Sequence, residues 1–190
     1  MGKKIIIGIT GAIGSGKTTA ASFFPKQKWK IINVDQLGHS LLKKHAIKKR
    51  LFHRFGAHIQ DQTTGEISRK KLAAIVFNNT KKLQALNKIM HPLLKKEVAK
   101  KMQTQKHLVL DCALLIPLGL AKKCTTVIEI QAPQKIISQR LKNKYTKKQQ
   151  RFVMQQQQTI PAPDFILMND RTKKDLQTQI KKIITFLYAA

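Results

Sequence analysis

Eight residues, Gly11-Ala12-Ile13-Gly14-Ser15-Gly16-Lys17-Thr18, satisfy the pattern GxxxxGK[ST] and stand between an apolar run at 4–9 and the helix-like stretch that follows, "TTAASFF". A strand that feeds such a loop into a helix is the opening unit of a parallel α/β sheet. The glycines let successive backbone N–H groups point into one concavity, and the helix adds the positive end of its dipole there. The loop therefore predicts a cradle for the phosphates of a nucleoside triphosphate. Lys17 would reach the β- and γ-phosphates, and the Thr18 hydroxyl would ligate Mg²⁺. The competing reading is a tight strand-to-helix turn whose glycines serve packing, with Lys17 a surface charge.

The rest of the chain continues the alternation that the loop begins. Strand-length apolar runs at 4–9, 30–34, 107–111, 125–130 and 164–168 alternate with amphipathic segments, which predicts one five-stranded, mostly parallel sheet flanked by helices. Between the second and third runs lies a long helical insertion, 40–105, in which "RKKLAAIVFNN" and "KKLQALNKIMHPLLKKEVAKKM" place apolar residues three and four apart. Within it, "QDQTTGE" reads as a polar turn between helices, and Pro92 is expected to start a new helix after a break. The polar, Gln-rich stretch 140–163, closed by two prolines, reads either as a lid or as an irregular connection. Leu176, Ile180, Ile183, Ile184 and Leu187 form one stripe of a C-terminal helix. The expected organisation is a single domain over 1–190, with a core of 1–39, 106–139 and 164–190, the insertion 40–105 and the lid 140–163.

No apolar stretch approaches the roughly 18 residues of a membrane span. The basic start runs into the glycine loop without a cleavage-like site, and Ile6 stands where a myristoylation pattern beginning at Gly2 wants Ser or Thr. The two cysteines, Cys112 and Cys124, lack disulfide or zinc spacing, so a reducing cytoplasm is the expected compartment and no membrane partner is expected. Lys plus Arg number 37 against 9 Asp plus Glu, a net charge of +28 that concentrates polyanions of any kind. The cations are spread through every helix and not gathered into one stripe, which argues against a dedicated nucleic-acid surface.

Two carboxylates follow strands. Asp35 ends "KIINVD", and ligands of a parallel sheet sit outside the carboxyl ends of its strands. It fits either a base that accepts the proton of an attacking hydroxyl or an N-cap for the helix "QLGHSLLKK". Asp111 ends "HLVLD" and fits either a Mg²⁺ site opposite the glycine loop or an ordinary turn.

Taken together, "GITGAIGSGKTTAASFF", "NVDQLGHSLL", "LDCALLI", Arg140 and "DFILMN" resemble the dephospho-CoA kinase family, within the P-loop nucleoside-monophosphate-kinase-like group, over nearly the whole length. The most diagnostic run is the insertion, where Gly65, Arg69, Leu72, Phe77, Leu86, Asn87 and His91-Pro92 keep a spacing that is not a general P-loop feature. The resemblance implies a P-loop kinase that transfers the ATP γ-phosphoryl group to the ribose 3′-hydroxyl of dephospho-CoA with Mg²⁺. It implies Asp35 as base and Lys17 and Arg140 as charge stabilisers. Residues Gly11 to Thr18, Thr19 and Asn169 would bind nucleotide; Asp35, Arg69, Phe77, His91 and Leu114 would bind the acceptor; Thr18 and Asp111 would hold the metal. His91 has a second reading as substrate-domain structure.

The chain departs from that family at several points. Asn33 stands where an acid usually precedes the base by two positions, and Ala113-Leu114-Leu115-Ile116-Pro117 replaces Pro-Leu-Leu-x-Glu. The lid is short, with Lys144 where a second arginine is common, and lysine does not reproduce a bidentate arginine contact. Alternative readings are another small P-loop kinase, a basic ATP-dependent nucleic-acid-binding protein, or a non-catalytic nucleotide-binding relative. The sequence leaves a monomer and a small homo-oligomer both open.

Overall fold

The computed structural model describes residues 4–77, 79–104, 106–143, 145–155 and 162–189. Lys144 and residues 156–161 of the expected lid thus lie outside the described residues. The strands are β1 (Ile5–Gly11), β2 (Lys30–Asn33), β3 (His107–Asp111), β4 (Thr126–Gln131) and β5 (Phe165–Met168). The helices are α1 (Lys17–Ser22), α2 (Val34–Leu42), α3 (His45–Phe55), α4 (Arg69–Val76), α5 (Thr80–Gln103), α6 (Gln134–Leu141), α7 (Lys147–Gln155) and α8 (Lys173–Ala189). Two compact units divide the chain: Met1–Val34 with Val98–Ala190, and Asp35–Glu97.

The first unit contains one sheet in the order β2-β3-β1-β4-β5, with every strand pair parallel. Parallel strands covered on both faces need uninterrupted apolar runs, and Ile6, Ile7, Ile9, Leu108, Val109, Leu110, Ile128 and Ile130 are accordingly all buried. Ala20, Ala21 and Phe24 from the α1 region and Leu176, Ile180 and Ile183 from α8 close over this layer around Trp29. The α8 stripe read from the sequence therefore belongs to the core. A reciprocal cap starts that helix: Thr172 Oγ1 accepts from Asp175 N–H at 3.2 Å, and Asp175 Oδ2 accepts from Thr172 N–H at 3.1 Å.

From β1 the chain leads to β2 on one side of the sheet, and from β3 it leads to β4 on the other. The crevice at the carboxyl ends of β1 and β3 is thus the switch point where doubly wound folds bind ligands. Among the described residues no helix is long and apolar enough to cross a membrane, and both cysteines are free thiols.

The second unit is helical. Ile47, Leu51 and Phe55 of α3, Ile59, Ile67, and Leu72 and Val76 of α4 are buried in it. Ser68 caps α4 through a 3.4 Å contact with Lys71 N–H. The polar cluster is a turn, as read: Asp61 Oδ1 accepts from the N–H groups of Thr63 and Thr64 at 3.1 and 3.0 Å.

Three local expectations are corrected. Pro92 starts no new helix but lies inside the continuous α5. Its ring removes one intrahelical donor, yet buried Met90, Leu94, Val98 and Met102 recur at four-residue spacing across it and anchor the helix on both sides. The second strand stops at Asn33 and α2 begins at Val34, one residue earlier than the run 30–34 implies, which puts Asp35 in the first turn of the helix. The stretch 140–163 is not all connection, since Arg140 belongs to α6 and α7 forms within it.

Candidate active site

The glycine loop follows from the end of β1. Gly11, Gly14 and Gly16 have φ of 136°, 80° and 104°, in the region that disfavours side chains. At Gly11 and Gly16 space excludes them too, because a Cβ would collide with the Ile130 carbonyl oxygen and with Asn169 Nδ2 respectively.

Carbonyls of the loop are held from outside. Arg140 NH1 donates to Gly14 O at 3.0 Å and Ser15 O at 3.3 Å, and Asn169 Nδ2 donates to Ser15 O at 2.6 Å. Because a peptide unit is planar and trans, the Gly16 N–H must point away from the groups that hold Ser15 O. The loop is thereby set to present amide hydrogen to its opposite side. Lys17, at 7% exposure, opens α1 and lays its Nζ 3.0 Å from Ala12 O, spanning the loop. Ser15 is fully buried and its Oγ has no partner among the described residues.

Beside this loop sits Asp111, 1% exposed at the end of β3. Its Oδ2 accepts from Thr18 Oγ1 and from Asn33 Nδ2, each at 2.7 Å, while Oδ1 is buried with no partner among the described residues. Burial pushes the carboxyl above its ordinary range, against the opposing pull of Thr18, Lys17 and Asn33. A buried carboxylate whose donors do not offset its desolvation gains from a cation. Thr18 gives its proton to Asp111, so its oxygen keeps lone pairs to offer.

Two oxygens are few for a metal cage, and the described residues contain no cluster of three His, Cys, Asp or Glu able to hold an ion. That donor set fits Mg²⁺, which keeps several waters and completes its octahedron with substrate phosphates.

The structure thus brings together Gly11 to Thr18, Asp111, Arg140 and Asn169 in the first unit. Thr19 is half-buried in α1, its carbonyl accepting from Ser22 Oγ at 2.7 Å. Leu114 is half-buried in the turn after β3.

The second unit contains the remaining candidates. Asp35 is exposed near the start of α2, and Phe77 ends α4. Arg69, the first residue of α4, places NH1 3.0 Å from His39 Nδ1, and both line a pocket of about 270 Å³ with Leu42, Lys43, Glu66 and Ile67. His91 is half-buried in α5 and its Nε2 has no partner among the described residues. Sequence reasoning did not single out His39, nor give Asn33 a role. For Asn33 the sequence shows only that it closes a strand, as Asp111 does; that the two strands are neighbours comes from the sheet order.

Arginine only donates, so His39 Nδ1 must accept and the ring must be neutral. Burial, followed by Arg69, lowers the His39 pKa, while Asp35 opposes; burial and then Lys95 lower that of His91. Both histidines therefore bind protons more readily in the unfolded chain. Their contribution to stability is complete above the ordinary histidine value, about pH 6.5, and is lost as pH falls from there through the lowered folded values. In an NMR titration the His39 ring should take up its proton at lower pH than in the urea-unfolded chain. Arg69→Ala should raise that midpoint; coincident folded and unfolded titrations would contradict the contact.

A parallel five-stranded sheet with GxxxxGK[ST] at its switch point, and a carboxylate hydrogen-bonded to the Thr of that motif, defines a P-loop protein of the kinase type. The solved dephospho-CoA kinase of Campylobacter jejuni has this fold, with a TM-score of 0.66, 24% identity and 96% of each chain covered. The chain belongs to the dephospho-CoA kinase family, whose model matches residues 5–175. It is 35% identical over 144 residues to the dephospho-CoA kinase of Dehalococcoides mccartyi, covering 73% of this chain and 72% of that one. With the dephospho-CoA kinase of Lactobacillus johnsonii it shares 32% over 192 residues, covering 94% and 96%.

Proposed function

We propose that this chain is an ATP-dependent kinase that phosphorylates the ribose 3′-hydroxyl of dephospho-CoA to give coenzyme A. The observation that carries the reading is the Thr18–Asp111 hydrogen bond beside the glycine loop, in a chain matched by the family over residues 5–175.

In the reaction, the acceptor oxygen forms a bond to the γ-phosphorus of ATP, the bond from that phosphorus to the β-bridging oxygen breaks, and ADP leaves. Asp35 accepts the proton of the attacking hydroxyl and holds its oxygen in line. Phosphoryl transfer through a loose transition state asks mainly for positioning and late proton removal, so an aspartate is an adequate base. Residues Gly11 to Thr19 bind the triphosphate, Lys17 stabilises charge on the transferring group, and Asn169 keeps the loop in shape through Ser15 O. Arg140, tied by NH1 to the loop carbonyls, adds a second cation beside it. Arg69, Phe77, His91 and Leu114 contact the acceptor. Thr18 and Asp111 would hold Mg²⁺, which when bound neutralises charge on the β- and γ-phosphate oxygens.

ADP release measured with dephospho-CoA and with a panel of nucleoside monophosphates tests the acceptor. Turnover with dephospho-CoA at least about tenfold above any monophosphate is expected. Activity confined to the monophosphates would replace this reading with that of another small P-loop kinase.

A further inference from the structure

Asn33 gives the Asp111 site a character of its own. It ends β2 in register with Asp111 of β3, and in a parallel pair residues in register project to the same face. The amide Nδ2 lies 2.7 Å from Asp111 Oδ2, the same oxygen that accepts from Thr18 Oγ1 at 2.7 Å. Two donors from two different elements thus converge on one carboxylate oxygen, and the buried Oδ1 is left without a partner among the described residues. A carboxylate turns easily about its last bond. Held at one oxygen from both α1 and β2, this one cannot swing out of its plane without losing both bonds.

An ionised acid at position 33 has no hydrogen to give. It would replace the bond with repulsion and set a second negative charge beside the first.

We propose that Asn33 is the positioning residue of the metal site: its amide fixes Asp111 by Oδ2 so that Oδ1 is the oxygen offered to the divalent cation, and it supplies a donor in place of a second charge. This rests on the reading that Thr18 and Asp111 hold Mg²⁺. Outer partners that orient a ligand typically change metal affinity by about 10- to 100-fold when removed.

The test uses two substitutions and Mn²⁺ binding followed by electron paramagnetic resonance, with and without ADP. Asn33→Leu removes the donor and should weaken Mn²⁺ binding to the ADP complex by about tenfold. Asn33→Asp keeps the size and adds charge. It should tighten Mn²⁺ binding without ADP, because a second carboxylate adds to the attraction for the cation.

Opposite responses at one position are what an orienting amide predicts and a packing role does not. Cooperative melting of each variant checks folding, and the near-isosteric Asp variant carries the test if the Leu variant fails to fold. Mn²⁺ affinity within about twofold of the unaltered protein in both variants, or weakened in both, would overturn the role of Asn33 alone. Absence of Mn²⁺ binding by the unaltered protein would overturn the metal reading and this proposal with it.

Discussion

Lys17→Ala is expected to lower kcat by about 10³-fold or more, equivalent to ~4 kcal/mol of lost transition-state stabilisation, while the protein melts as before. The lost group is a charge held in a dry place. The Lys17 side chain is 7% exposed and its Nζ sits 3.0 Å from Ala12 O, so its ammonium is held in the loop with little water to screen it. An electrostatic group fixed before the reaction costs no reorganisation as charge moves onto the transferring phosphoryl group. The fold should survive because the loop keeps its outer supports, Arg140 on Gly14 O and Asn169 on Ser15 O, and because alanine suits the first turn of α1. Steady-state kinetics and a thermal melt check both halves. Unimpaired turnover would refute the assignment of the loop.

Asp35→Asn should reduce kcat by roughly 10²- to 10⁴-fold with the ATP affinity nearly unchanged, the range typical of a lost general base. The substitution preserves size and removes only the capacity to take a proton. Its alternative role is to stabilise the start of α2, in whose first turn it lies. A carboxylate in a first turn still gains from the helix dipole, though by no more than about 1 kcal/mol. The comparison that decides is kcat against thermal stability. A small rate effect with a clear loss of melting temperature would return Asp35 to a helix-stabilising role.

The central strands β1, β3 and β4 were legible because strands buried on both faces demand continuous apolar runs such as "KIIIGI" and "HLVLD", and the partly exposed edge strands β2 and β5 because short apolar runs stand between polar segments. The loop was legible because its glycines and its Lys-Thr ending satisfy a backbone requirement at fixed spacing. The strand order was not, since no local pattern says which strand lies beside β1.

Polar composition concealed α7. Its start carries a signal that reading for apolar stripes passes over: Thr146 Oγ1 accepts from Gln149 N–H at 3.3 Å, and Gln149 Oε1 accepts from Thr146 N–H at 3.0 Å, a capping box spelled T-x-x-Q. Pro92 misled in the opposite sense, because the general cost of proline in a helix was weighed without the apolar stripe that spans it. Contacts between distant side chains were the hardest to read. The Asn33–Asp111 bond joins residues 78 apart and depends on the register of β2 against β3. The His39–Arg69 contact joins residues 30 apart and depends on how α4 packs.

The most direct measurement incubates the protein with Mg²⁺, dephospho-CoA and ATP labelled with ¹⁸O on its γ-phosphate, and weighs the products by mass spectrometry. Labelled phosphate on the 3′-oxygen of the product coenzyme A, formed one for one with ADP, is the predicted result. Label recovered only as inorganic phosphate, or ATP left intact, would contradict transfer from a triphosphate gripped by this loop to an alcohol.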